Sequence, residues 1–471
     1  MFKFRLKFAF RTLLRNRNYT LLNIVGLALG LATATIIVLF LQSELSYDEH
    51  WPEHENIYRV NSLIEINGQT EKFAGTGYGL APLMENEYPF LKEKLTRFFH
   101  IDQNIWFKNE HHNFFIEELG VADENFLQVF KLPLISGNAD SALSKARNIL
   151  ICKSLAERFF PGEEALGQIL KTNNYSYKVT GVFDDLPANT HHHFSAIISV
   201  FDDVDDVAHL SELKRRLWQI DVHTFAYLNK EEVNQFNMAW QDFYAKHMRP
   251  FADNLQGHYQ MELVPIEKLH FKSDYQIDRA VGNEGYLYAF GGIGILILAL
   301  AGINYVNMAT ARGLKRTREI GIRKVLGSGS REIRMMMFTE SILMAFISLF
   351  IALCMVEVVL EATSLNQVLN KDLSLDFVNI PQLLIILPAI AFTIGFLSGW
   401  YPAVSTARLH GLAALKGGRG MLKTGMSFRR ILVGFQFTAS VAVVITALLM
   451  YRQMQFVKEK DLGFNTRDVV L

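Results

Sequence analysis

Few residues in this chain are of a type and spacing that could do chemistry. His191-His192-His193 follow Asn189, and His111-His112 form a second run. Neighbouring histidines point in different directions, and no Cys, Asp or Glu at ligand spacing completes a metal set. Asp202-Asp203 with Asp205-Asp206 resembles a calcium loop but lacks its turn glycine and terminal Glu, so it reads as a solvated acidic loop. There is no G-x-S-x-G or H-E-x-x-H, and Cys152 has no nucleophile context. Gly417-Gly418-Arg419-Gly420-Met421-Leu422-Lys423-Thr424 comes nearest to a phosphate cradle, but no Gly precedes Lys423. The expectation is no catalytic residue, no metal, and no cofactor bound by this chain.

The elements that carry these residues are segregated by polarity. The chain has 471 residues, half of them hydrophobic, with 47 Lys+Arg against 47 Asp+Glu. Neutrality excludes a broadly basic nucleic-acid binder, and two cysteines exclude a disulfide scaffold. Residues 21–41 contain no charge, and 21 residues span roughly 31 Å of helix, enough to cross a bilayer core. Similar runs occupy 286–308, 335–357, 381–403 and 431–451. The first run is longer than a signal-peptide core and no small-residue cleavage site follows it, so it reads as a retained span.

Charge sets orientation. Residues 1–20 carry six cations and no acid, 309–334 eight cations and two acids, and 404–430 six cations and no acid: each nets +6. Residues 42–285 carry 22 cations and 37 acids, net −15. The positive-inside rule then puts the N-terminus and both basic loops in the cytoplasm and 42–285 outside. Residues 1–20 alternate cations with apolar side chains and read as an amphipathic helix on anionic lipid.

The outer segment reads as mixed α/β. A strand is expected over Ile57–Ile66 with a hairpin at Asn67-Gly68, a helix over Leu80–Leu95, strands over Tyr175–Phe183 and Thr224–Leu228, and a helix over Glu231–His247. Within the spans, Gly26 with Gly30 and Gly395 with Gly399 have the small-xxx-small spacing that lets helices approach closely. Glu340 and Glu357 read as interfacial carboxylates near the ends of the third span.

The basic segment after the second span is the most informative. Ile322, Val325 and Leu326 form an i, i+3, i+4 strip, Gly327 suits a helix C-terminus, and Ser330 suits the cap of the next helix. Arg316-Thr317-Arg318-Glu319-Ile320-Gly321-Ile322-Arg323-Lys324-Val325-Leu326-Gly327 resembles the R-x-R-E-I-G-[IV]-R-K-A-[LM]-G signature of MacB/FtsX-type ABC transporter permeases, departing mainly at Val325. Asp123–Val129, Leu132-Pro133-Leu134 with Gly137, Phe159-Phe160-Pro161-Gly162-Glu163 and Val179–His191 resemble the family's outer core domain. Tyr401-Pro402-Ala403 with Ala407-Arg408-Leu409 and Ala414-Leu415-Lys416 is similar to its exit segment.

The resemblance implies an α/β membrane protein: a helical transmembrane bundle with a large mixed α/β periplasmic core domain, 42–285, inserted between the first and second spans. It implies that 309–334 is a coupling loop for a separate cytoplasmic ABC ATPase, which would hold ATP and Mg. The coupling residues would be Arg316, Arg318, Glu319, Ile320, Gly321, Ile322, Arg323, Lys324, Leu326 and Gly327. It places His191 in a structural turn. Residues 358–380 would be a short outer loop and 404–430 a cytoplasmic linker. The fifth run and 452–471 resemble the start of a second permease repeat, as in two-repeat members without a fused ATPase. Membrane lipid, a dimeric or pseudo-dimeric permease and, for export, a periplasmic adaptor with an outer-membrane channel are the implied partners. The expected location is the inner membrane. A signalling scaffold for a cell-wall hydrolase or sensor kinase is the competing expectation.

Overall fold

The computed structural model describes residues 2–459 apart from 67, 102–104, 110, 201–206, 250–251, 253–256, 273, 280–281, 316, 370 and 408–421. The acidic run 202–206, the glycine-rich string and most of the linker after the fourth span therefore lie outside the described residues. The chain divides into two compact units. One comprises 1–40, 288–369 and 373–471; the other comprises 41–287 with 370–372.

The first unit is helical. Its N-terminal helix is Phe2–Arg15, followed by a first long helix, Arg17–Leu45. The second, third, fourth and fifth long helices are Glu284–Lys315, Ser330–Ala362, Leu383–Ala407 and Leu422–Glu459. All five are long and apolar enough to cross a membrane. They outrun the apolar stretches because charged and amphipathic residues continue the helical backbone beyond them. The segment after the third long helix folds partly as a short helix, Leu365–Leu369.

Small residues set the packing of this unit. A Cβ added at Gly30 would lie 2.6 Å from the Ala301 Cβ, and one at Gly26 3.0 Å from the Asn304 Nδ2. One at Gly395 would lie 2.9 Å from the Ala345 Cβ and 3.0 Å from the Ile342 Cα, and one at Gly399 2.7 Å from the Ser341 Oγ. The first glycine pair thus lies against the second long helix and the second pair against the third, where backbones approach as Leu-sized side chains would forbid.

The second unit is a mixed sheet with helices on both faces. Its strands are β1 (Ile57–Ile66), β2 (Gln69–Phe73), β3 (Thr76–Gly77), β4 (Leu95–Ile101), β5 (Ile105–Lys108), β6 (Asn113–Ile116), β7 (Leu119–Ala122), β8 (Leu134–Gly137), β9 (Asn148–Cys152), β10 (Ile169–Lys171), β11 (Ser176–Phe183), β12 (Ala196–Ser199), β13 (Ile220–Tyr227) and β14 (Gly257–Pro265). They run in the order β14-β1-β13-β4-β7-β12-β9-β11-β10-β5-β6, with β2 on β1, β3 on β13 and β8 on β11. Only β7–β12 and β9–β11 pair in parallel among the described strands. Successive residues of a strand point to opposite faces, and the sheet uses both. Phe225 joins a core with Phe98, Phe126, Phe130 and Phe194, whereas its neighbour Ala226 joins another with Leu83, Phe236, Trp240 and Phe243.

Two expected elements differ. The helix from Leu80 stops at Glu87, because Tyr88, the residue before Pro89, is held extended; a 3-10 turn at Pro89–Leu91 leads into β4. The helix at Lys230–Phe243 begins on a full Asn229–Glu232 capping box and runs into a π-helical turn at Tyr244–Met248.

Candidate coupling element

The signature segment folds as a helix, Thr317–Val325. Arg316 lies outside the described residues, and for Arg318 only the helical backbone is described. The helix ends in a Schellman arrangement: Ser328 N–H donates to the Arg323 carbonyl at 2.9 Å and Gly327 N–H to the Lys324 carbonyl at 3.1 Å. Gly327 sits at φ +98°, a left-handed conformation that favours glycine.

The helix has two unlike faces. Ile320 is buried against Ile333, Met337, Ala403 and Ala407, and Gly321 is buried beside it. Ile322, Val325 and Leu326 lie on the other side, 47%, 63% and 81% exposed. Two residues along a helix means about 200° of rotation, which separates Ile320 from Ile322.

Polar contacts hold the buried face in place. Lys324 Nζ donates to the Ala407 carbonyl at 2.7 Å, and Ser330 Oγ donates to the same oxygen at 3.1 Å. A cation thus meets the carbonyl end of the fourth long helix, where the helix dipole favours it. Ser330 is the first residue of its helix, and the N-cap position falls to Gly329, which caps without a side chain. Glu319 accepts from Arg323 Nη2 at 3.2 Å and lies 3.9 Å from Arg15 Nη2 of the N-terminal helix. Both acid and partners are partly exposed, so these pairs contribute little stability.

Above this helix lies a polar node that the sequence reading missed. Glu340 is buried between helices, one-third of the way along its own. Arg312 Nη1 donates to Glu340 Oε1 at 3.3 Å, and the Arg312 guanidinium lies 4.3 Å from the centre of the Tyr19 ring. The Tyr305 and Ser341 hydroxyls are 2.8 Å apart. These groups, with Ala309, Met337 and Pro402, line a cavity of about 20 Å³, room for one water-sized molecule. Opposite charges at 312 and 340, both inside helices once the caps are located, were the available signal. Glu357 by contrast is exposed.

The histidines of the second unit sit apart from any such element. His191 is buried, and its Nε2 lies 2.9 Å from Asp278 Oδ1. Arg59 donates to both oxygens of Asp278 at 2.8 Å and to Asn61 Oδ1 at 2.8 Å. The Arg59 and His191 contacts hold the Asp278 carboxyl far below the usual carboxylate range, against the effect of burial. His192, His100 and His223 cluster beside it, with the His192 ring centre 5.8 Å from His100 and 4.8 Å from His223. Burial pushes His192 well below its usual value, His100 to about 2 and His223 to about 4. Among the described residues no three His, Cys, Asp or Glu are arranged to hold a metal ion.

Two family models match the chain in tandem: the MacB-like periplasmic core domain over 20–235 and the FtsX-like permease C-terminal domain over 291–410. The chain is a MacB/FtsX-type ABC transporter permease. The permease is 24% identical over 87% of its length to the pyoverdine export ATP-binding/permease protein PvdT of Pseudomonas putida, covering 59% of that protein. It is 23% identical over 87% of its length to the macrolide export ATP-binding/permease protein MacB of Marinobacter nauticus, covering 60% of it. It is 21% identical over 87% of its length to the ABC transporter permease YvrN of Bacillus subtilis, covering 98% of that chain. The permease therefore spans about three fifths of the length of the ATP-binding/permease relatives and nearly all of YvrN. It is a membrane protein with an α/β domain of periplasmic type between its first two candidate spans.

Proposed function

We propose that the permease is a non-catalytic lever. A separate cytoplasmic ABC ATPase binds the helix Thr317–Val325, and its ATP- and Mg-dependent cycle moves the periplasmic domain to export or release an envelope substrate. The observation that carries this reading is the division of that helix. Its inner face is anchored through Ile320 and Lys324 to the third and fourth long helices, and its outer face presents Ile322, Val325 and Leu326. Covering each such side chain contributes about 1.5–3 kcal/mol, enough to make a docking surface of a single helical turn. Anchoring makes it a handle, because force applied there passes into the helices that hold it. The segment is also rich in cations, Arg316, Arg318, Arg323 and Lys324, which would favour an acidic partner surface.

Export is the favoured outcome over signalling, since the large outer domain gives a periplasmic adaptor or cargo a broad surface. A peptide, lipoprotein or amphiphile fits that role, in line with the export names of two relatives. Pairing with a second permease unit, in a dimer or pseudo-dimer, would cover the apolar side chains that the fifth long helix exposes, such as Ile431, Phe435 and Phe437.

The test is the ATPase rate of the complex purified from native membranes and reconstituted. Ile322→Asp and Glu319→Lys are expected to abolish stimulation of the ATPase while the permease stays in the membrane. Stimulation at the unaltered rate would refute the assignment.

A further inference from the structure

The chain leaves the first long helix through Glu44, Leu45, Ser46, Tyr47 and Asp48, and this exit segment is gripped from two directions within the second unit. From one direction come Asn189, Thr190 and His191. Asn189 Nδ2 donates to the Ser46 carbonyl at 2.9 Å, and Asp48 N–H donates to the Asn189 carbonyl at 3.0 Å. Asp48 Oδ1 accepts from the Thr190 hydroxyl at 2.8 Å and from His191 N–H at 3.0 Å. From the other come His270 and Lys371. Glu44 Oε1 meets Lys371 Nζ at 2.5 Å, and Glu44 Oε2 meets His270 Nε2 at 2.9 Å. The Tyr47 ring stacks on His270 with centres 3.4 Å apart, and Lys371 Nζ donates to the Tyr47 hydroxyl at 2.9 Å. The Glu44, His270 and Lys371 side chains are all at least nine-tenths buried.

Lys371 is the unexpected member. It belongs to the segment joining the third and fourth long helices, whose residues up to Leu369 and from Leu373 pack in the helical unit. Yet Lys371 and Asp372 pack in the second unit. A solvated loop lysine gains little from a surface pair. A buried one loses its hydration and is retained only where its partners are fixed, and here Glu44 and Tyr47 are fixed by the exit segment itself.

We propose that Lys371 is a positioning residue, which couples the third and fourth long helices to the outer domain by locking onto Glu44 and Tyr47. This rests on the lever reading. It adds a third mechanical input to the outer domain beside the two chain connections at the first and second long helices. His270 stands in the stretch leading to the second of those connections, so one buried cluster gathers all three.

The experiment uses the full chain in complex with its co-purified ATPase, on a Cys354→Ser background, with spin labels at exposed Met238→Cys and Val368→Cys. In the parent, ATP is expected to leave the distance between the labels fixed, because Lys371 holds the segment that carries Val368 on the domain that carries Met238. Lys371→Met is expected to keep ATPase stimulation and to let ATP shift that distance, with Lys371→Arg restoring the parent's fixed distance. A merely structural lysine would lower thermal stability without separating these two readouts. If Lys371→Met fails to accumulate, Glu44→Gln is measured in its place with the same expectation. A variant whose labels stay as fixed as the parent's overturns the coupling role while leaving the lever intact. A parent complex in which the permease does not stimulate the ATPase overturns the lever and the coupling role together.

Discussion

The helical unit and the outer domain solve the problem of specificity in opposite ways. In the helical unit close approach is obtained by deleting side chains: Gly26, Gly30, Gly395 and Gly399 bring backbones together, and Arg312 meets Glu340 at 3.3 Å. In the outer domain register is fixed by adding polar groups to the interior. Arg59 is fully buried and makes three hydrogen bonds, two to Asp278 and one to Asn61. Arg97 is buried likewise and reaches Asp123 Oδ1 at 2.6 Å and the Tyr78 carbonyl at 3.0 Å. On the proposed lever reading, helices that slide or tilt would be packed by shape, and a domain that moves as one body would be pinned by directional bonds.

That contrast can be broken at its strongest point first. Arg59→Ala leaves Asp278 and His191 buried without their cation and is expected to cost the outer domain about 3–5 kcal/mol. A sharp fall in the midpoint of thermal unfolding, followed by circular dichroism, is the readout; an unchanged midpoint would mean that the network holds nothing.

Acidification comes next. His50, His100, His192 and His223 all lie below 6.5 in the folded state through burial, so the unfolded chain binds more protons as pH falls below 6.5. Their contribution is complete above pH 6.5 and is lost progressively down to about 4 for His50 and His223. Glu85 and Asp48 act the other way: burial raises Glu85 to about 7 and Asp48 above its usual value, so their cost to the folded state is relieved as pH falls, for Glu85 between about 7 and 4.5. Four histidines outweigh two carboxyls, at about 1.4 kcal/mol per pH unit for each net proton. Urea midpoints measured at pH 7.5 and pH 5 are expected to be clearly lower in acid, and Phe-substituted His192 is expected to flatten the slope.

A smaller effect belongs to the helices. Gly30→Val drives side-chain atoms into Ala301 and is expected to cost about 1–3 kcal/mol, read as a lowered melting temperature in detergent.

Much of this architecture is written locally. The ten-residue strand formers of β1 and the turn at Gly68 require nothing distant to make a hairpin with β2. The five apolar runs and the strip at Ile322, Val325 and Leu326 are likewise periodic signals. What could not be read is whatever depends on two remote positions meeting. Lys324 finds the carbonyl of Ala407, 83 residues away, and Arg312 finds Glu340, 28 residues away. The Leu80 helix is an intermediate case: its apolar spacing runs on past Glu87, but the restriction that Pro89 places on Tyr88 was present in the sequence and should have ended it.

The second and third long helices contain 32 and 33 residues, so each is a rod of roughly 50 Å in a hydrocarbon slab of roughly 30 Å. Such a rod overhangs the slab. Pivoted near the bilayer centre, an arm of about 25 Å sweeps about 2 Å at its tip for each ~5° of tilt, well within the spread of tilts seen for membrane helices. On the lever reading, length alone would turn a small tilt into ångströms of travel at both ends, with no hinge, unfolding or change of fold.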